Sequence, residues 1–160
     1  MKILVDADSC PALVRDTVCR AAKRCNIKAH FAANRNIPNI DPMCSVMELC
    51  PQGDGQADDR IVLLAEKNDI AITRDVPLAA RLVEKGIDVL DDRGRIFTAD
   101  NIRTMLSLRN FNVSLAENGI DIVRTANYTK KDLKLFADSF DKMITKNILQ
   151  TENSLQKENQ

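Results

Sequence analysis

Short apolar runs alternate with amphipathic helical stretches along this chain, and that alternation restricts the fold more than any composition value does. Ile3 to Val5, Lys28 to Ala33, Ser45 to Leu49, Asp69 to Thr73 and Ile87 to Leu90 read as strands. Between and after them the apolar spacing is helical. Leu13, Val14, Val18, Ala21, Ala22 and Cys25 form one stripe, opened by Pro11 in the first turn. Ile61, Leu64 and Ala65 form a second, and a third helix runs from Pro77 to the stop at Gly86. Thr98 suits the cap of a helix through Ile102, Met105 and Leu106 that ends before Gly119. Thr129 and Asp132 have capping-box spacing ahead of a helix carrying Leu133, Phe136, Ala137, Phe140 and Ile144. Strands that alternate with helices build a mostly parallel sheet covered on both faces. The expected class is therefore α/β, with three α/β/α layers. The 160 residues suit one domain, placed at 1–148, with a frayed polar tail at 149–160.

Composition excludes little. Lys plus Arg equals Asp plus Glu at 23 each, so net charge does not advertise a nucleic-acid partner, although a local patch is enough for one. No stretch approaches the roughly 20 apolar residues of a membrane span, and no signal peptide is read at the start. Five cysteines, without any pair spaced by two residues, and one histidine, His30, argue against a structural zinc site. An odd cysteine count fits reduced thiols in a cytoplasm. Cys10 beside a helix start is either a thiol of lowered pKa or a small buried apolar side chain. Oligomeric state is left open.

The acids carry the chemistry. Asp6 and Asp8 close the first strand, Asp75 follows the strand Ile70 to Thr73, and Asp91 and Asp92 close the strand ending at Leu90. Parallel strands put those ends along one sheet edge, where ligands of open α/β sheets bind. Asp58 and Asp59 at a helix start can face the same crevice. Clustered carboxylates repel and raise each other's pKa, and a hard cation, Mg²⁺ or Mn²⁺, relieves that repulsion. Each acid also has a local reading: Asp58 and Asp59 favour a helix dipole, Asp75 suits an N-cap, and Asp91 and Asp92 suit a turn.

Val5-Asp6-Ala7-Asp8-Ser9-Cys10-Pro11, Ala57-Asp58-Asp59 and Ile72-Thr73-Arg74-Asp75-Val76-Pro77-Leu78-Ala79-Ala80 resemble the YaiI/YqxD family of small uncharacterised bacterial proteins. Arg93-Gly94 with Thr98, Leu108-Arg109, Lys131-Asp132 and Phe136-Ala137 continue the match. That family is similar to PIN-like domains, whose relatives include metal-dependent ribonucleases and flap-type nucleases. The resemblance implies an acidic Mg²⁺ or Mn²⁺ pocket in which Asp6 and Asp75 match the most dependable acids. Asp8, Asp58 and Asp59 follow as further metal positions, and Asp6, Asp58 and Asp75 as catalytic ones. Two departures stand out. Gly55, beside Asp54, occupies a position where the family often has an acid, and residues 123–127 replace a glycine-rich turn.

A nuclease must also hold phosphates. Arg93, Arg95, Arg103 and Arg109 form a basic stretch against Asp100, and Arg35, Arg60 and Arg74 lie near the candidate loops. Arg74, Arg93 and Arg109 are the substrate candidates. Phe31 and Phe97 are the aromatic residues near those loops that could stack on bases. The leading expectation is a metal-dependent nuclease or phosphodiesterase acting on RNA or DNA. The alternatives are a phosphatase of the HAD type, with Asp6 as nucleophile, Asp8 as acid–base, Thr73 on phosphate and Asp91 and Asp92 as metal acids, and a non-catalytic nucleic-acid-binding module.

Overall fold

The structure, a computed structural model, describes residues 1–120 and 127–158. Eleven elements follow one another: β1 Ile3–Asp6, α1 Ala12–Cys25, β2 Ala29–Ala33, β3 Ser45–Leu49, α2 Gln56–Leu64, β4 Ile70–Ile72, α3 Val76–Glu84, β5 Asp88–Leu90, β6 Ile96–Phe97, α4 Ile102–Glu117 and α5 Lys130–Glu158. They form one six-stranded sheet in the order β3-β2-β1-β4-β5-β6. All neighbours pair in parallel except β5 and β6.

The layers follow from strand alternation. Ile3 and Val5 point to one face, where they meet Val14 and Val18 of α1 and Phe136, Phe140 and Ile144 of α5. Leu4 points to the other face, where it meets Ile61 of α2 and Leu78 and Leu82 of α3. A sheet buried on both sides needs strands that are apolar at successive positions, and β1 and β4 are. The expected α/β/α sandwich is thus present. Its chain order puts β2 on one side of β1 and β4 on the other, which makes the carboxyl end of β1 a topological switch point.

Most element boundaries agree with the sequence reading, and the differences are local. The antiparallel strand β6 was not anticipated, because two residues carry no periodicity. It closes a hairpin in which Asp91 Oδ1 accepts the Arg93 and Arg95 amides at 2.9 and 2.8 Å. Gly94 in that turn has φ +82°, and an added Cβ would collide with the Leu135 carbonyl oxygen and lie 2.7 Å from its carbon. The turn therefore packs directly on the α5 backbone. Thr98 opens a turn ahead of α4: its hydroxyl accepts the Asn101 amide at 3.3 Å, and Asn101 Oδ1 accepts the Thr98 amide at 2.9 Å. The Thr129–Asp132 box forms, with Asp132 Oδ2 accepting the Thr129 amide at 2.8 Å. The helix α5 continues through the described part of the expected polar tail, to Glu158. Of residues 123–127, where a glycine-rich turn was noted as replaced, all but Asn127 lie outside the described residues.

Candidate active site

The acids at the carboxyl edge are positioned by the strand ends. Asp6 is the last residue of β1 and is 9% exposed. Its Oδ2 accepts the Thr73 hydroxyl at 2.9 Å and the Ser9 hydroxyl at 3.3 Å. Thr73 follows β4 directly, and its Oγ1 in turn accepts the Asp75 amide at 3.0 Å. One buried hydroxyl therefore links the ends of β1 and β4. Asp75 is the N-cap of α3, with Oδ1 accepting the Leu78 amide at 2.8 Å. The local capping reading of Asp75 holds, and it occupies a single carboxylate oxygen. Asp58 sits in the first turn of α2, half-buried over the same crevice.

Electrostatics tie these three together. Burial, more than any other cause, pushes the Asp6 carboxyl above the usual range, helped by the charges of Asp75 and Asp8 and opposed by the two hydroxyl donors. Asp58 is pushed up to about 6, chiefly by burial and then by Asp75 and Asp6, with Arg81 opposing. Groups whose ionised forms oppose one another in a cleft are candidates for chemistry.

The surrounding acids are each matched by an arginine. Asp8 accepts the Asn34 amide at 3.0 Å, and its Oδ1 lies 3.4 Å from Arg35 Nε. Asp59 meets Arg81 at 2.7 Å on the outer face of α2 and α3. The Arg74 Nε lies 3.6 Å from Asp92 Oδ1 in the cleft that also contains Asp6, Ser9 and Thr73. Asp91 serves the β5–β6 turn, with Arg95 at 3.9 Å. Among the described residues, Asp6, Asp58 and Asp75 have no ion-pair partner. The sequence-derived acids thus divide into an unmatched group of three and a matched rim.

The arginines divide as well. Arg74 lies at the mouth of the crevice. Arg93 is bound to Asp132 at 2.9 Å and lies 5.6 Å over the Tyr128 ring, so it ties the β5–β6 turn to α5. Arg109 is exposed on α4, one helix away from the carboxylates. The two aromatics expected near the loops are not base platforms: Phe31 is 0% and Phe97 4% exposed, each in a different core layer. Both sit in strands, where their side chains pack under helices. The Cys10 thiol is buried and pushed up to about 12, chiefly by burial, which matches the apolar reading rather than a reactive one. All five cysteines are free. Gly55, at the position where an acid was looked for, caps α2 with φ 75°. Glycine adopts that conformation most readily.

Sequence reasoning gave Thr73 a role only as a phosphate ligand and gave Ser9 none. A hydroxyl two residues before Asp75 and another three after Asp6 fit local side-chain-to-backbone and side-chain bonds. Those spacings were the available signal.

Asp6, Asp58 and Asp75 offer carboxylate oxygens, which suit a hard cation, and the Cys10 thiol that lines the same cleft as Asp6 is held protonated by burial. Among the described residues no three His, Cys, Asp or Glu side chains form a ready-made metal cage. Mg²⁺ does not need one: it takes one or two carboxylates and keeps several waters. Asp6 and Asp75 each use one carboxylate oxygen in the bonds above, and the other oxygen of each suits this role.

Comparison with known proteins agrees with the motif reading. The family described as Uncharacterized BCR, YaiI/YqxD family matches residues 4–146. A UPF0178 protein of Treponema denticola is 43% identical over 150 residues, covering 94% of this chain and 96% of its own. One from Treponema pallidum is 43% identical over 147 residues, covering 91% and 82%. Another from Myxococcus xanthus is 40% identical over 148 residues, covering 91% and 95%. No solved structure matches.

Proposed function

Because the chain belongs to the YaiI/YqxD family, whose name states no activity, we propose from the site alone that it is a divalent-metal-dependent nuclease, or another phosphodiesterase, acting on RNA or DNA. The observation that carries this reading is the arginine distribution. Asp8, Asp59 and Asp92 each form an ion pair with an arginine, while among the described residues Asp6, Asp58 and Asp75 at the switch point form none, Arg81 acting on Asp58 only from beyond ion-pair distance. Carboxylates left opposed to one another lower stability unless something cationic completes them.

Asp6, Asp75 and Asp58 are the residues that would hold Mg²⁺ or Mn²⁺. The bound ion would polarise a phosphate oxygen and lower the pKa of a water. Thr73 and Ser9 fix Asp6 by donating to one of its oxygens. Arg74, which lines the Asp6 cleft and lies 3.6 Å from Asp92, would receive a phosphate by paired hydrogen bonds.

Incubation of mixed-sequence RNA and DNA with Mn²⁺ tests the reading. Cleavage that is lost in Asp6→Asn supports it. Absence of Mn²⁺ binding at millimolar concentration sinks it, and strand binding without cleavage under any divalent ion identifies a non-catalytic module instead. For the phosphatase alternative, Asp8 would serve as acid–base, yet its carboxylate is engaged by the Asn34 amide and Arg35. A metal-fluoride phosphoryl mimic trapped on Asp6 would restore that alternative.

A further inference from the structure

Of the three unmatched acids, two are fixed by hydrogen bonds of their own: Asp6 by the Thr73 and Ser9 hydroxyls, and Asp75 by the Leu78 amide. The place of Asp58 depends instead on how α2 lies. Of the nine residues of α2 only Ile61 is buried, with Ala57, Val62 and Leu64 partly buried beside it. That packing seats the helix on the sheet, and two ion pairs flank it. On one flank Asp59 meets Arg81 of α3 at 2.7 Å. On the other, Arg60 donates from Nε and Nη2 to Glu48 Oε2 at 3.0 and 2.7 Å. Glu48 belongs to the edge strand β3 and pairs in register with Ala32, whose side chain lies on the α2 face. Its side chain is 12% exposed, and its other oxygen, Oε1, lies 2.8 Å from His30 Nδ1 in β2. Burial opposes the ionised form of Glu48, but His30 and Arg60 outweigh it and hold the carboxyl below the usual range.

We propose that Glu48, steadied by His30, is a positioning residue: through Arg60 it fixes the rotation of α2, so that Asp58 and not Asp59 faces the cation; the inference rests on the function proposed above. Successive helix residues stand about 100° apart. Asp58, Asp59 and Arg60 therefore point to three different sides, and a hold on Arg60 sets where Asp58 points. At a helix radius of roughly 5 Å, a rotation of about 10° carries a side chain about 1 Å. A working constellation tolerates about half of that. A planar guanidinium held by two of its nitrogens fixes direction as well as distance. Arg60, which the sequence placed near the candidate loops, thus has two nitrogens engaged by the scaffold.

The Kd of the full chain for Mn²⁺ alone, measured by electron paramagnetic resonance without any substrate, tests this. Charge and position predict opposite signs for Arg60→Gln. Loss of a cation near the site tightens Mn²⁺ binding by charge alone, whereas loss of the hold on α2 weakens it. The expected result is weakening of about tenfold, the size seen when a residue that orients a metal ligand is removed. Glu48→Gln should weaken binding similarly. In an Asp58→Asn background Arg60→Gln should weaken binding by less than about twofold, because no ligand is left to orient. Lys146→Met breaks the 2.9 Å pair with Asp88, far from the crevice, and should leave the Kd unchanged, which separates positioning from lost stability. Thermal melts confirm that every variant is folded at the assay temperature. Equal or tighter Mn²⁺ binding in Arg60→Gln, or full weakening in the Asp58→Asn background, overturns the proposal and leaves the metal reading standing. A wild type that binds no Mn²⁺ overturns both.

Discussion

Replacing Asp58 by Asn should make the protein more stable at neutral pH, by an amount that can be worked from the site. The Asp58 carboxyl titrates at about 6 instead of 3.8, with burial the largest cause and Asp75 and Asp6 next. Roughly two units correspond to about 3 kcal/mol of opposition to the ionised form. The side chain is only half-buried, and solvent screening reduces this to about 1.5 kcal/mol. The first-turn position in α2 favours an anion by about 0.5 kcal/mol, which the substitution forfeits. The net gain is about 1 kcal/mol, or about 2–4 °C in Tm for a domain of this size. The sign depends on pH. Between the unfolded and native pKa values the native state holds more protons, so wild-type stability falls as pH rises from about 4 to about 6 and stays at the lower level above. Asp58→Asn should therefore melt higher than wild type at pH 7.5 and lose most of that advantage at pH 4.5. Thermal melts followed by circular dichroism at both pH values measure it. Mn²⁺ at ten times its Kd should raise the wild-type stability by about 1.4 kcal/mol and raise the variant less. A variant that is less stable at pH 7.5, or equally favoured at both pH values, refutes the reasoning, because Asp58 would then be a helix-capping acid with no opposed neighbours.

Gly94→Ala should destabilise the fold by about 2–4 kcal/mol in urea titration, since the new Cβ meets the Leu135 backbone at a positive φ; a loss below about 1 kcal/mol would mean that α5 yields easily. Thr73→Val leaves Asp6 without its closer hydroxyl donor and the Asp75 amide without its acceptor, so it should cost about 2–3 kcal/mol and push the Asp6 carboxyl still higher, whereas Thr73→Ser should recover most of the stability. Timed alkylation with iodoacetamide, mapped by mass spectrometry, should find native Cys10 unreactive up to pH 9 because its thiol titrates at about 12; labelling of Cys10 before Cys19 or Cys25 would show that the α1 entry opens.

The strand-and-helix alternation was legible because burial on both faces writes apolar residues at successive strand positions and leaves helical stripes between them. The capping residues Thr129 and Asp75 were legible for a similar reason: their partners lie three residues away in the chain. Thr98, read as the helix cap, instead opens a turn, and Asn101 is the N-cap of α4. What was not legible depends on long-range contacts or on rotation about a helix. Asp58 and Asp59 are adjacent, so they stand about 100° apart around α2; one turns to the crevice and the other to Arg81, and no local pattern decides which. Arg93 resembled a phosphate ligand in its basic stretch, but Asp132, supplied by α5, binds it. Phe31 lay near a candidate loop in sequence and lies under a helix in space.

Two buried acids of the sheet, Asp69 and Asp6, are treated in opposite ways, and the contrast bears on the site around Asp6. At the amino edge, Asp69 is 1% exposed. It accepts the Lys2 amide at 2.8 Å and the Glu66 amide at 2.9 Å, and lies 2.9 Å from the Lys2 ammonium. Two backbone donors and a cation complete it, as expected of an acid retained for structure. At the carboxyl edge, Asp6 is 9% exposed, yet its hydrogen-bond donors among the described residues are two neutral hydroxyls, and the nearby charges that raise its pKa are Asp75 and Asp8. The fold therefore has the means to neutralise a buried carboxylate and applies them to Asp69 at one edge and to Asp91 at the other, with two backbone amides and a basic side chain each, but not to Asp6. Arg74 lines the same cleft as Asp6 and pairs there with Asp92. The charges of Asp75 and Asp8 thus stay opposed to that of Asp6 at the switch point, and this is the opposition that the proposed cation would relieve.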